Sequence, residues 1–188
     1  MKREVIIITD GDQVARKAAE VVAKRLGGRC LSLSAGNPTS LTGPEIIQLI
    51  KTAAHDPVLV LLDDNGDQKL GSGEKALSYI AKHPDIHVLG VIAVASNAGG
   101  NTGTTVNYSV TKEGELVDGI VDKEGNQVPG YQLRGDTVEI LNHLQIPYII
   151  GTGDTGKMNG ADDPAKGCPV TFQAIETLLA KSKKHFRN

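Results

Sequence analysis

The aliphatic residues of this chain come in short unbroken runs, and two of these runs end in acid. Val5-Ile6-Ile7-Ile8 leads into Thr9-Asp10-Gly11-Asp12, and Val58-Leu59-Val60-Leu61-Leu62 leads into Asp63-Asp64-Asn65-Gly66-Asp67. A run of this length without polar alternation, closed by turn residues, predicts a strand of a parallel sheet covered on both faces. Between the runs the spacing becomes helical. Val14, Ala18, Val21, Val22 and Leu26 predict a helix over 13–26, with Asp12 as its N-cap and Gly27-Gly28 as its stop. Residues 29–34 read as a second strand. Thr42-Gly43-Pro44-Glu45 has the capping-box pattern and opens a helix that buries Ile46, Leu49, Ile50 and Ala53. Leu77, Ile80 and Ala81 give a helix over 73–83 its inward face, and 88–95 is a further strand.

The second half is less regular. Residues 97–105 are too rich in glycine and polar side chains for an element. Val106, Tyr108 and Val110 alternate with polar residues, Glu113-Gly114 and Glu124-Gly125-Asn126 mark turns, and 116–121 and 127–133 read as short strands. The helical pattern resumes at Asp136-Thr137-Val138-Glu139, a capping-box-like start before Ile140, Leu141 and Leu144. Tyr148-Ile149-Ile150 is a strand, 151–167 a long polar loop, and Pro169 opens a last helix whose apolar face is Phe172, Ile175, Leu178 and Leu179. The alternation predicts one α/β domain over 1–188. Its three layers surround a mainly parallel, doubly wound sheet, Rossmann-like or Toprim-like, with a β-hairpin insertion around 106–133.

The composition narrows the chemistry. With 188 residues the chain buries a sizeable core unaided. A net charge of -2 and an aromatic content of 3% without tryptophan argue against nucleic acid as a partner. Cys30 and Cys168 are expected as reduced thiols, as in a cytosol-like compartment. No stretch approaches the ~20 apolar residues of a membrane helix, and Met1-Lys2-Arg3-Glu4 is not followed by a signal-peptide core. The basic tail of Lys181, Lys183, Lys184, His185 and Arg187 complements a helix dipole, with peripheral contact to an anionic membrane as the alternative.

Ligands in open α/β sheets bind beyond the carboxyl ends of the strands, where both acidic clusters fall. Asp10, Asp12, Asp63, Asp64 and Asp67, joined by Asp154 beyond the last strand, form a candidate site for a hard divalent cation, Mg²⁺ or Ca²⁺. The metal ligands expected are Asp10, Asp12, Asp63 and Asp64. The structural alternative is that Asp12 caps a helix and Asp64-Asn65-Gly66-Asp67 forms a turn.

The loop Gly151-Thr152-Gly153-Asp154-Thr155-Gly156-Lys157-Met158 satisfies G-x-x-x-x-G-K, but Met158 replaces the hydroxyl that holds Mg²⁺ in a P-loop and no helix pattern follows. It reads as a Gly-rich anion nest or a plain long turn. Gly153, Asp154, Thr155, Lys157, Asn97, Asp10 and Asp12 are therefore the ligand-binding candidates. No nucleophile elbow is present, and His55, His83, His87, His143 and His185 lack metal-ligand spacing. Catalytic residues stay unassigned.

Acids after the first and third strands loosely resemble the Mg²⁺ site of the Toprim domain, without its Glu and its Asp-x-Asp spacing. A closer likeness runs over essentially the whole chain. The opening from Glu4 to Asp12, the segment from Leu61 to Asp67, the Gly-rich stretch from Asn97 to Thr105 and the loop from Gly151 to Met158 resemble the soluble stage V sporulation protein AE family of spore-forming Firmicutes. The resemblance implies a non-enzymatic accessory of sporulation and germination. Its implied partners are the membrane proteins of the dipicolinic acid channel, which move calcium and dipicolinate. It implies a place on the cytoplasmic side or in the spore compartment, free or held peripherally at the spore inner membrane, with homo-oligomerisation left open. The runner-up is a Mg²⁺-dependent phosphate-chemistry enzyme or a nucleotide or phosphate binder.

Overall fold

A computed structural model describes residues 2–66, 70–97 and 102–185, so Asp67, the centre of the Gly-rich loop at 98–101 and Arg187 lie outside the described residues. The side chains of Lys184 and His185 do so as well. In chain order the elements are β1 (Arg3–Ile8), α1 (Gln13–Leu26), β2 (Arg29–Cys30), α2 (Gly43–Thr52), β3 (Val58–Leu61), α3 (Ser72–Lys82) and β4 (Ile86–Val94). The short strands β5 (Tyr108–Val110), β6 (Leu116–Val117), β7 (Ile120–Val121) and β8 (Gln127–Val128) follow, then β9 (Ile149–Thr152) and α4 (Pro169–His185).

The central sheet runs β2-β3-β1-β4-β9-β5-β6, with every pair parallel except β5 and β6. The unbroken aliphatic runs have the expected cause. Val5, Ile7, Val58 and Val60 point into the core under α2 and α3, while Ile6, Ile8, Leu59 and Leu61 point into the core under α1 and α4. Alternate residues of a strand face opposite ways, so a strand with helices on both faces is apolar at every position.

In β4 the alternation skips: Val88 and Val91 face the same core although three residues apart. The pairing with β1 shifts there, from Val5–Val88 to Ile6–Gly90. One extra residue is taken up as a bulge. Gly90 sits at this bulge under α4, and a Cβ there would come within 2.5 Å of the Tyr148 carbonyl oxygen and 2.7 Å of Leu178 Cδ1.

Several predicted elements differ from those observed. Residues 29–34 form only a two-residue strand before a 3-10 turn at Ser32–Ser34, whose Ser34 hydroxyl accepts from the Leu61 N–H at 2.9 Å. The predicted insertion is smaller than 106–133. Tyr108–Val110 is a full member of the sheet, parallel to β9, and the separate hairpin is β7 with β8. The capping-box-like start at Asp136 gives a 3-10 turn over Glu139–His143 and no α-helix, because Thr137 takes a left-handed backbone (φ 59°). Of the apolar residues at helical spacing in α1, Ala18 and Val22 are buried while Val14 is 40% exposed, and Ala15, Ala19 and Ala23 complete the buried face.

Replacing Gly90 by alanine should cost about 1–3 kcal/mol by overpacking between β4 and α4. A urea unfolding curve with an unchanged midpoint would contradict that account.

Candidate functional site

β1 lies between β3 and β4, and the chain passes to β2 and β3 on one side before crossing to β4 on the other. Such a reversal opens a crevice beyond the strand ends. A cavity of about 190 Å³ lies there, walled by Thr9, Asp10 and Asp12 after β1, Asp63, Asn65 and Gly66 after β3, Val94 and Ser96 at the end of β4, and Asp154 after β9. Asn37 and Asp136 complete it. Thr9 joins the two central strands at its floor: its N–H donates to the Ile92 carbonyl at 3.0 Å, and its hydroxyl accepts from the Val94 N–H at 3.0 Å.

Each carboxylate is set by local backbone. Asp12 is the N-cap of α1, and one oxygen accepts from the N–H groups of Val14 and Ala15, both at 2.8 Å. The Asp12 N–H donates to Asp10 at 3.1 Å. Asp63 accepts from the Gly11 N–H at 3.1 Å and the Asn65 N–H at 2.8 Å. Gly11 permits this approach, since a Cβ there would lie 2.2 Å from the Gly36 carbonyl oxygen. Asp154 accepts from the Gly156 N–H at 2.9 Å and from the Lys157 ammonium at 2.6 Å.

One oxygen each from Asp10, Asp12 and Asp154 lies within 4.8 Å of the other two. Oxygens bound to Ca²⁺ sit about 2.3–2.6 Å from the ion and those bound to Mg²⁺ about 2.0–2.1 Å, so three ligands of one such ion lie within a span of this order. The electrostatics point the same way. Burial, followed by the charge of Asp12, pushes the Asp10 carboxyl up to about 7, with Asp154 and Asp63 adding to the rise. Burial also raises Asp136, to about 6, with the charges of Asp63 and Asp64 contributing. The hydrogen bond to Asp154 raises Lys157 above its usual value. A crevice that raises its acids in this way gains by taking up positive charge.

Asp63 lines the crevice, but its oxygens are turned to backbone amides. Asp64 does not line it. Its buried carboxylate accepts from the N–H groups of Gly73 (2.6 Å) and Glu74 (3.0 Å) and from the Thr137 hydroxyl (3.0 Å), which fastens the start of α3 to the 3-10 turn. Asn97 is exposed and lies on a neighbouring cavity. Gly153 is buried under the β7–β8 hairpin, where a Cβ would meet the Gly125 nitrogen at 2.6 Å. Thr155 is half-buried, and Lys157 is exposed apart from its bond to Asp154. The amides of Lys157 and Met158 donate to the Asp154 carbonyl and that of Gly156 to its carboxylate, so the loop closes on its own acid.

The sequence pattern marks Asp136 as the start of a capping box. Its N–H instead donates to Ser96 Oγ at 3.1 Å and its carboxylate accepts from the Gly66 N–H. It follows no strand, and the sequence carried no signal for it.

Two outcomes are expected. Asp64→Ala should destabilise the fold by about 2–4 kcal/mol, because three donors lose a buried charged acceptor, as read by urea unfolding. Asp10 holds its proton to higher pH folded than unfolded, where its value is 3.8. The folded state therefore binds more protons between about pH 4 and 7, and stability should fall as pH rises through that window and level off above it. In chelator-treated protein Asp10→Asn should flatten that slope and gain about 1–3 kcal/mol at pH 8, checked by urea midpoints across pH.

Among the described residues no helix is long and apolar enough to cross a membrane. No curated protein and no solved structure matches the chain. A family model described as Stage V sporulation protein AE1 matches residues 4–182, which take in every strand end that forms the crevice. The chain therefore belongs to the stage V sporulation protein AE1 family and has a role in sporulation.

Proposed function

We propose that this chain is a non-enzymatic accessory of sporulation and spore germination that holds a hard divalent cation, Ca²⁺ or Mg²⁺, at Asp10, Asp12 and Asp154. Through that cation it serves the membrane proteins that move calcium dipicolinate. The observation that carries the cation is the set of three carboxylate oxygens within 4.8 Å at the carboxyl ends of β1 and β9. Family membership supports the sporulation setting. Lys157, bonded to Asp154 and otherwise exposed, offers a cationic edge to the anion that accompanies the metal. Asp64 has no part in this site, because its oxygens are committed to α3 and Thr137.

Calorimetric titration of chelator-treated protein with Ca²⁺, Mg²⁺ and dipicolinate tests the reading. Ca²⁺ should bind saturably, and Asp154→Asn should weaken it at least tenfold, since a negatively charged ligand is lost. Asp64→Asn, a milder change than the alanine variant, should leave the affinity alone. No heat with any of the three overturns the ligand assignment.

The raised Asp10 favours a second reading, a Mg²⁺-dependent phosphate chemistry with a Toprim-like acidic site, because an acid that titrates near neutrality suits proton transfer. Turnover of a generic phosphate ester with Mg²⁺, lost by orders of magnitude in Asp63→Asn, would decide for it; an accessory keeps its partner binding in that variant.

A further inference from the structure

A second cavity of about 630 Å³ adjoins the acidic crevice and shares Ser96 with it. Its volume is that of a small-molecule site, and its walls are mixed. Ile120 and Pro129 give it an apolar side, and the Tyr131 ring stands at its rim 90% exposed.

Its charge is opposite to that of the crevice. Lys123 and Arg134 line it, and among the described residues Arg134 has no carboxylate partner. Its one acid, Asp122, is occupied by the backbone and side-chain amides of Asn126. The Lys123 ammonium is only 3.7 Å from exposed Glu124, a contact weakened by water.

An unpaired guanidinium beside apolar surface selects a planar anion that it grips in two places, and an exposed tyrosine ring adds a face for stacking. The geometry points to this groove as a binding site for a small aryl carboxylate, held by Arg134 and Lys123 and stacked on Tyr131. The groove stands independently of the proposed cation site, with which it shares Ser96.

Benzene-1,3-dicarboxylate, a poor chelator, separates the groove from the crevice. In calorimetry with the full chain, chelator-treated, it should bind saturably, and Arg134→Gln should weaken it at least tenfold while leaving Ca²⁺ binding unchanged. Tyr131→Ala should weaken it several-fold, and Asp154→Asn should not affect it. Adipate, which has the charge without the ring, and inorganic phosphate should bind at least tenfold more weakly.

Absence of binding with and without Ca²⁺, or equal binding to the Arg134→Gln variant, overturns the site. Equal affinity for phosphate or adipate overturns the aryl assignment. Binding of the dicarboxylate to a protein that takes no Ca²⁺ would sink the cation reading and leave the groove standing.

Discussion

The constraint on which this molecule depends is the parallel alignment of β3, β1, β4 and β9, which brings four carboxyl ends to one rim. In water the acids that follow these strands would keep apart. Here the strands are buried on both faces and locked in register by Val5, Ile7, Val58 and Val60 on one side and by Ile6, Ile8, Leu59 and Leu61 on the other. Burying such side chains stabilises by about 1.5–3 kcal/mol each, and a slip of one residue would turn every one of them to the wrong core. The core therefore sets where the charges go, and the charges adapt to it.

They adapt mostly through backbone amides. Gly11 and Asn65 donate to Asp63, Val14 and Ala15 to Asp12, Gly66 to Asp136, and Gly156 with Lys157 to Asp154. Partial positive charge from N–H groups and from the start of α1 offsets part of the repulsion. Burial first, and then the repulsion that is left, raises Asp10 and Asp136, two acids of the crevice whose protons are held to higher pH. The same strain that weakens the fold above neutral pH makes the crevice receptive to a cation, so the stability cost and the binding capacity have one source.

Much of this was legible in the sequence because the signals are local. An unbroken aliphatic run, the Asp12 cap, the Thr42–Glu45 box and Pro169 each act over a few residues, and the corresponding elements stand where they were expected. Long-range relations were not legible. Asp63 and Asp64 are neighbours with the same chemistry in the sequence, yet one side chain turns to the crevice and the other to the start of α3, since successive residues after a strand point to opposite sides. Asp136 reaches the crevice by the left-handed turn at Thr137, whose hydroxyl is held by Asp64. Local propensity favoured a helix there, and that tertiary bond is what opposes it.

Tyr108–Val110 teaches the same lesson at the level of topology. Its alternation fits a hairpin, and it does pair antiparallel with β6, but its other edge completes β9 from the far side of the sheet. Adding β5 there carries the chain over the end of β4, so that the small hairpin of β7 and β8 becomes the roof of the larger cavity. Gly153 is buried beneath that roof against Gly125, which fixes the hairpin to the loop that carries Asp154. The acidic crevice and the cationic groove are thus two consequences of one connection, and the Asp154 N–H joins the hairpin by donating to the Lys123 carbonyl. Lys123 thus presents its side chain to the groove and its backbone to the crevice loop.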